Sequence, residues 1–194
     1  VSLEYRSKHA DAKWRSRWDW TMTIGSSLPA LLWGVAFANL VRGVEIAPLD
    51  GGGFQYTGGF FALLNPFGLL GGLVTMSLFY THGAIFIALK TDGHLRTRAS
   101  ALAVKSGLVA AVLAVVFLLW AQVAYSDKTW TWATVLLAAV TWVAAVLHAK
   151  LGKEGWAFIF SSSTLLLAVV SLFGMLFPYV MPNFDRTLEN SLTI

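Results

Sequence analysis

Five long apolar runs separated by short polar connectors organise this chain, at residues 20–41, 60–89, 101–124, 130–148 and 156–177. A helix rises 1.5 Å per residue, so about 20 apolar residues cross the roughly 30 Å of a bilayer's hydrocarbon core. None of the runs alternates polar and apolar positions as a half-buried strand would. The pattern predicts an all-α, polytopic transmembrane helical bundle of five spans. The second run, at about 45 Å, is too long for one crossing, and Asn65-Pro66 divides it. Asn is a strong N-cap and Pro is favoured at the first helical position, so a helix start is placed at Asn65 and Pro66. The predicted spans are about 20–41, 66–89, 101–124, 130–148 and 156–177, within a single transmembrane unit over 1–194. Residues 60–64 then form a separate apolar segment at the interface.

Composition agrees. Hydrophobic residues make up 57% and charged residues 12%, against about 25% charged in an ordinary soluble domain. Mean hydropathy is +0.66. With no cysteine, disulfides, thiolate metal sites and Cys nucleophiles are excluded. The net charge of +4 suggests no nucleic-acid partner, because there is no soluble basic domain to carry one.

The charge is unevenly placed. Eleven of the 14 Lys and Arg fall on or beside alternate connectors: Arg6, Lys8, Lys13, Arg15 and Arg17, then Lys90, Arg96 and Arg98 with Lys105 just inside the next span, then Lys150 and Lys153. Only Arg42, Lys128 and Arg186 fall on the other side. By the positive-inside rule, residues 1–19, 90–100 and 149–155 are expected in the cytoplasm, and 42–59, 125–129 and 178–194 outside. Residues 1–19 read as a cytoplasmic interfacial segment whose cations lie near anionic headgroups, with a solvated connector as the plainer alternative. Trp14, Trp18, Trp20 and Trp156 fall at one set of span ends, and Trp120, Trp130 and Trp132 at the other, as interfacial rings do. Trp33 and Trp142 lie deeper and are expected to pack between helices. The chain opens on Val1 and stops at Ile194 in mid-phrase, so it is expected to be an internal piece of a longer chain.

Candidate positions within the spans are few. Pro29 predicts a kink, since its ring removes a donor and clashes with the carbonyl four residues back; Ser26 and Ser27 could satisfy the freed group. Asn39 is expected to make a backbone or interhelical hydrogen bond rather than bind a ligand. Gly68 and Gly72, four apart, form a small helix-packing face. The connector 42–59 is Gly-rich and flexible by composition and matches no phosphate loop. His82 is the most buried-looking ionisable group. Its expected state is a neutral imidazole bonded to a neighbouring helix. Together with His148 it is also a candidate for a bis-His haem site between spans two and four, which would need both axial nitrogens aimed at one iron. The hydroxyls of 161–164 can bond within their own helix or across to another. The turn at 125–129 makes spans three and four antiparallel neighbours. No span carries a mid-membrane Asp, Glu or Arg, which counts against ion coupling. Catalytic motifs are absent, so no catalytic residue and no metal site is assigned.

Specific strings go further. Leu3-Glu-Tyr-Arg6, Trp14-Arg15, Trp18-Asp-Trp20, Gly34-Val-Ala-Phe-Ala-Asn-Leu40, Phe60-Phe-Ala-Leu-Leu-Asn-Pro-Phe-Gly-Leu-Leu70, Leu95-Arg-Thr-Arg-Ala99, Trp156-Ala-Phe-Ile-Phe-Ser-Ser162, Phe177-Pro-Tyr-Val-Met-Pro182 and Ser191-Leu-Thr193 occur in this order. The ordered set resembles subunit II of the cytochrome bd-type quinol oxidases over essentially the whole chain. The resemblance implies membrane helices three to seven of eight, in a bacterial plasma (inner) membrane complex that oxidises quinol and reduces dioxygen to water. It implies haem b and haem d on the partner, subunit I, and a haem-free structural role here, with room for a structural quinone or lipid. A small single-span subunit is a further implied partner. His82 stands where some relatives have a different polar residue, and the 125–129 connector is shorter than in some relatives. The alternatives are a fragment of a multi-pass transporter or channel, which would need a water-lined cavity with midplane polar groups, and a cytochrome in its own right using His82 and His148.

Overall fold

The computed structural model describes residues 2–9, 11–49, 51–185 and 191–193. Five helices in it are long and apolar enough to cross a membrane: α2 (Ala12–Arg42), α4 (Pro66–Lys90), α5 (Gly93–Tyr125), α6 (Thr131–Lys150) and α7 (Glu154–Leu176). Two short helices, α1 (Ser2–Arg6) and α3 (Gly59–Ala62), flank α2. Successive long helices run antiparallel and form an all-α polytopic membrane bundle. The ends carrying Lys90, Arg96 and Lys150 form a basic face, and those near Arg42 and Lys128 form the opposite face.

Several elements differ from the hydropathy pattern for local reasons. α2 begins at Ala12 rather than Trp20, because Asp11 caps it and accepts from the Lys13 backbone N–H. The segment before span one is therefore helical, and α1 folds back on it. The Arg6 guanidinium donates to Asp19, Trp14 Nε1 donates to Tyr5 O at 2.8 Å, and Tyr5 stacks on Trp18. Residues 93–100, expected in a connector, open α5, leaving only Thr91 and Asp92 between α4 and α5. At 33 residues, α5 is about 50 Å long and overshoots the hydrocarbon. Helix α2 runs on through Pro29. Ser26 Oγ there donates to Met22 O (2.8 Å) and Thr23 O (3.2 Å), not to the Gly25 carbonyl the proline frees.

The Gly-rich connector is not a loose loop. Strands β1 (Ile46–Pro48) and β2 (Phe54–Tyr56) pair in an antiparallel hairpin, and Gly52 and Gly53 take the positive φ its turn needs. On the same face β3 (Tyr179–Met181) pairs with β4 (Leu192–Thr193). Asn183 Nδ2 donates to Ile46 O at 3.1 Å, and the Arg42 guanidinium lies over the Phe184 ring. Arg186 lies outside the described residues.

The core is built from small side chains. Ala38, Ala110, Ala121 and Val41 pack with Phe67, Phe117, Trp142 and Met175 in one cluster, and Ala84, Ile85, Ala103, Ala149 and Ala157 form a second. Much of the outer surface is apolar, as lipid contact requires. Trp33, expected between helices, is 61% exposed and touches Phe37 edge-on.

Candidate functional site

A close helix contact joins α2 and α4. Gly68, Gly71 and Gly72 of α4 face α2, which offers Gly34 in return. A Cβ on Gly34 would stand 2.5 Å from Gly71 O and 2.5 Å from Thr75 Oγ1, and one on Gly72 would stand 2.8 Å from Leu31 O. Backbone therefore meets backbone, which only glycine permits. Gly68 sits against Asn39 Nδ2 and Leu63 O, at the opposite-face end of this contact.

A hydrogen-bonded knot closes that end. Asn39, 2% exposed, donates from Nδ2 to Val35 O and to Leu63 O, each at 2.8 Å. Asn65 Nδ2 donates to Asn39 Oδ1 at 2.7 Å. Asn65 Oδ1 in turn accepts from Gly68 N at 2.9 Å, capping α4, with Pro66 as its first residue. One pair of amides thus ties α2 to the start of α4 and satisfies groups that hydrocarbon would otherwise leave costly.

Further polar contacts cross the bundle. Thr81 Oγ1 donates to Ser106 Oγ (2.8 Å) between α4 and α5. Trp142 Nε1 donates to Gly107 O (3.0 Å) between α6 and α5. Thr141 and Thr164 hydroxyls meet at 2.8 Å between α6 and α7, and Ser171 Oγ donates to Thr134 Oγ1 at 2.8 Å. At the basic face Arg96 Nε donates to Glu154 Oε1 (2.9 Å) and Arg96 Nη2 to Oε2 (2.8 Å). The Arg96 side chain is 43% exposed and the Glu154 side chain 9%. These hydrogen bonds hold the Glu154 carboxyl, at the first residue of α7 and ahead of the apolar run that begins at Trp156, below the ordinary carboxylate range. No buried side-chain nitrogen or oxygen among the described residues lacks a partner.

The two histidines do not converge. His82 Nδ1 lies 2.8 Å from Ser161 Oγ on α7, and its ring stacks on Phe158. Ser161 Oγ also lies within hydrogen-bond reach of Phe158 O of its own helix, and the direction of the His82–Ser161 bond follows the imidazole tautomer. His148 Nδ1 meets Ala144 O of its own helix at 2.8 Å, and its ring rests against Phe160. Phe158 and Phe160 are two residues apart, about 200° around α7, so the imidazoles lie on opposite sides of that helix. A haem gripped by both needs two nitrogens aimed at one iron; this arrangement does not fit. Among the described residues no group of three or more His, Asp or Glu is placed to hold a metal ion.

An apolar cavity of about 150 Å³ lies between all five long helices, with Phe37, Val74, Phe117, Trp142 and Leu172 on its wall. Its polar lining groups, Thr75 and Thr164, are engaged: Thr75 Oγ1 donates to Gly71 O and Thr164 Oγ1 to Phe160 O. A void of this character favours apolar occupants over water.

Of the residues singled out in the sequence, Asn65, Pro66, Gly68 and Asn39 come together at one end of the α2–α4 contact, with Gly72 further along it. His82, His148 and Pro29 stand apart. Sequence reasoning missed Gly34 and Gly71, because their partners lie 37 residues apart and on different helices. It also missed the Arg96–Glu154 pair, where the one available signal was a lone acid at the start of a span opposite basic residues.

Comparison with known proteins follows the same lines. The family model described as cytochrome bd terminal oxidase subunit II matches residues 1–194. The chain is 37% identical to the cytochrome bd-I ubiquinol oxidase subunit 2 of Escherichia coli (strain K12), over 100% of this chain and 60% of that protein. It is 32% identical to the probable cytochrome oxidase subunit 2 of Haemophilus influenzae, over 99% of this chain and 59% of that protein. It is 30% identical to the cytochrome bd ubiquinol oxidase subunit 2 of Bacillus subtilis, over 98% of this chain and 58% of that protein. The chain thus spans about 60% of the length of the curated relatives it matches.

Proposed function

Because the chain belongs to the cytochrome bd terminal oxidase subunit II family, we propose that it is a haem-free structural subunit of a bacterial cytochrome bd-type quinol:oxygen oxidoreductase. It packs against a haem-bearing subunit I, which holds haem b and haem d, and supports quinol oxidation coupled to reduction of dioxygen to water. The complex lies in the bacterial plasma membrane. The basic face, with residues 1–19 and the turns after α4 and α6, points to the cytoplasm, and the hairpin face points outside.

The family match over the whole chain carries this proposal. The bundle supports it chemically: its buried polar groups bond to one another, its histidines rest on opposite sides of α7, and its central cavity is apolar. A transporter or channel needs polar groups converging on a wet midplane site, and the cavity lining disfavours that alternative.

The test is purification from native membranes through a tag on this chain. The expected result is a larger co-purifying membrane chain and a reduced-minus-oxidised haem spectrum that follows that partner. Recovery of this chain with its own haem and no partner would overturn the proposal.

A further inference from the structure

A cleft opens on the basic face where α5, α6 and α7 meet. Its volume is about 690 Å³, within the usual range of ligand pockets. Gly93, Thr97, Ala101 and Lys105 line it from one stripe of α5, four residues apart, and Arg96, Ser100 and Val104 from the next. Lys150 and Gly152 close it from the end of α6, and Glu154 from the start of α7.

Charge in the cleft is one-sided. Three of its lining residues are cations and one is an acid. That acid, Glu154, is occupied by two hydrogen bonds from Arg96, which also donates to Gly152 O at 3.3 Å. A second acid, Asp92, just before Gly93, also acts on Arg96 through its charge. Neither Lys105 nor Lys150 has an ion-pair partner among the described residues, and both are exposed.

The depth of the cleft is fixed by helix length. The 20 residues from Ser106 to Tyr125 complete one membrane crossing of about 30 Å. Counted back in this way from Tyr125, the first three turns of α5 stand above the hydrocarbon, with Lys105 at the boundary rather than inside the span of 101–124 that hydropathy alone suggests. Helical side chains tilt toward the N-terminus, so the Lys105 stem leads up into the cleft as a snorkelling lysine does. Lys150, in the last turn of α6, faces it across the gap. Below them α5 presents Leu108, Val109 and Val112, each more than half exposed, on the lipid side of that boundary.

We propose that this cleft binds the phosphodiester of an anionic phospholipid, with Lys105 and Lys150 at the phosphate and the acyl chains along α5. A basic pocket between membrane helices at headgroup level recognises such lipids. The apolar surface directly beneath selects a lipid over free phosphate. The proposal rests on α5 to α7 crossing the membrane and not on the oxidase assignment, and it holds for any complex carrying this chain.

The test is native mass spectrometry of the whole complex, stripped in neutral detergent and titrated with phosphatidylglycerol, with phosphatidylcholine of the same chains, or with inorganic phosphate. The wild type should retain phosphatidylglycerol at least about tenfold more tightly than phosphatidylcholine. The double variant Lys105→Gln/Lys150→Gln should lose about tenfold or more, while Lys105→Arg/Lys150→Arg and the outlying Lys90→Gln should not. Equal retention of the two lipids by wild type, or unchanged retention by the double Gln variant, would overturn the proposal. Displacement of phosphatidylglycerol by millimolar inorganic phosphate would show a free-anion site and overturn the lipid assignment.

Discussion

Alanine at Gly34 tests the central helix contact. Its Cβ would stand 2.5 Å from Gly71 O and Thr75 Oγ1 and 2.8 Å from Gly72 Cα. An ordinary contact begins near 3.4 Å, so α2 and α4 must separate by close to 1 Å. Two of the three obstructing atoms belong to helix backbone and cannot rotate away. A gap of that size forfeits a quarter to a half of each dispersion well along the seam, and in lipid such packing is the principal force holding helices together. Overpacking of this kind costs about 1–3 kcal/mol, which for a chain of this size lowers Tm by about 2–12 °C. Gly25→Ala in the same helix is the control, since a Cβ there meets nothing within 4 Å. The assay is thermal unfolding of the detergent-solubilised complex, followed by tryptophan emission or size-exclusion recovery. A Gly34→Ala variant that melts with wild type, or no lower than Gly25→Ala, would refute the close α2–α4 contact.

Asn39→Leu should destabilise by about 0.5–1.5 kcal/mol, because it removes the Asn39 hydrogen bonds to Leu63 O and Asn65 Nδ2 and leaves them the longer Asn65 Nδ2 bonds to Ala62 O and Leu63 O; chemical denaturation of the same complex measures it. Asn65→Ala removes the cap of α4 as well as the Asn39 contact and should cost about 0.5–2 kcal/mol through the cap alone. Arg96 lowers the Glu154 carboxyl, so the stability this pair adds is complete above the ordinary carboxylate range, near about 4.3. It is lost as pH falls through the lowered value. Wild type should therefore lose more Tm on acidification below about pH 4.3 than Glu154→Gln does; parallel profiles would contradict the pairing.

What the sequence revealed depended on the range of the signal. The five helices and their antiparallel order were legible, because lipid imposes a length and a hydropathy that short windows report. Asn65-Pro66 and the Gly68–Gly72 spacing were visible as local patterns. Gly34 carried no such mark, since its meaning comes from Gly71 and Gly72 on another helix. Helices also run beyond the apolar runs: Asp11 caps α2 and starts it ahead of Trp20, and α5 starts at Gly93, eight residues before the apolar run, with no side-chain cap to announce it. Trp33 looked internal by depth, but depth along a helix does not say which side faces lipid. His82 found a partner in Ser161, 79 residues away, a contact no spacing within either helix could announce.

The central claim is that this chain builds the scaffold and its partner holds the haem. The most direct measurement is haem stoichiometry and the reduced-minus-oxidised spectrum of the whole complex carrying His82→Ala and His148→Ala. The account predicts band positions and haem per complex equal to wild type, with at most a modest drop in thermal stability. Loss of one haem, or a shifted band from either substitution, would place a ligand on this chain and contradict it.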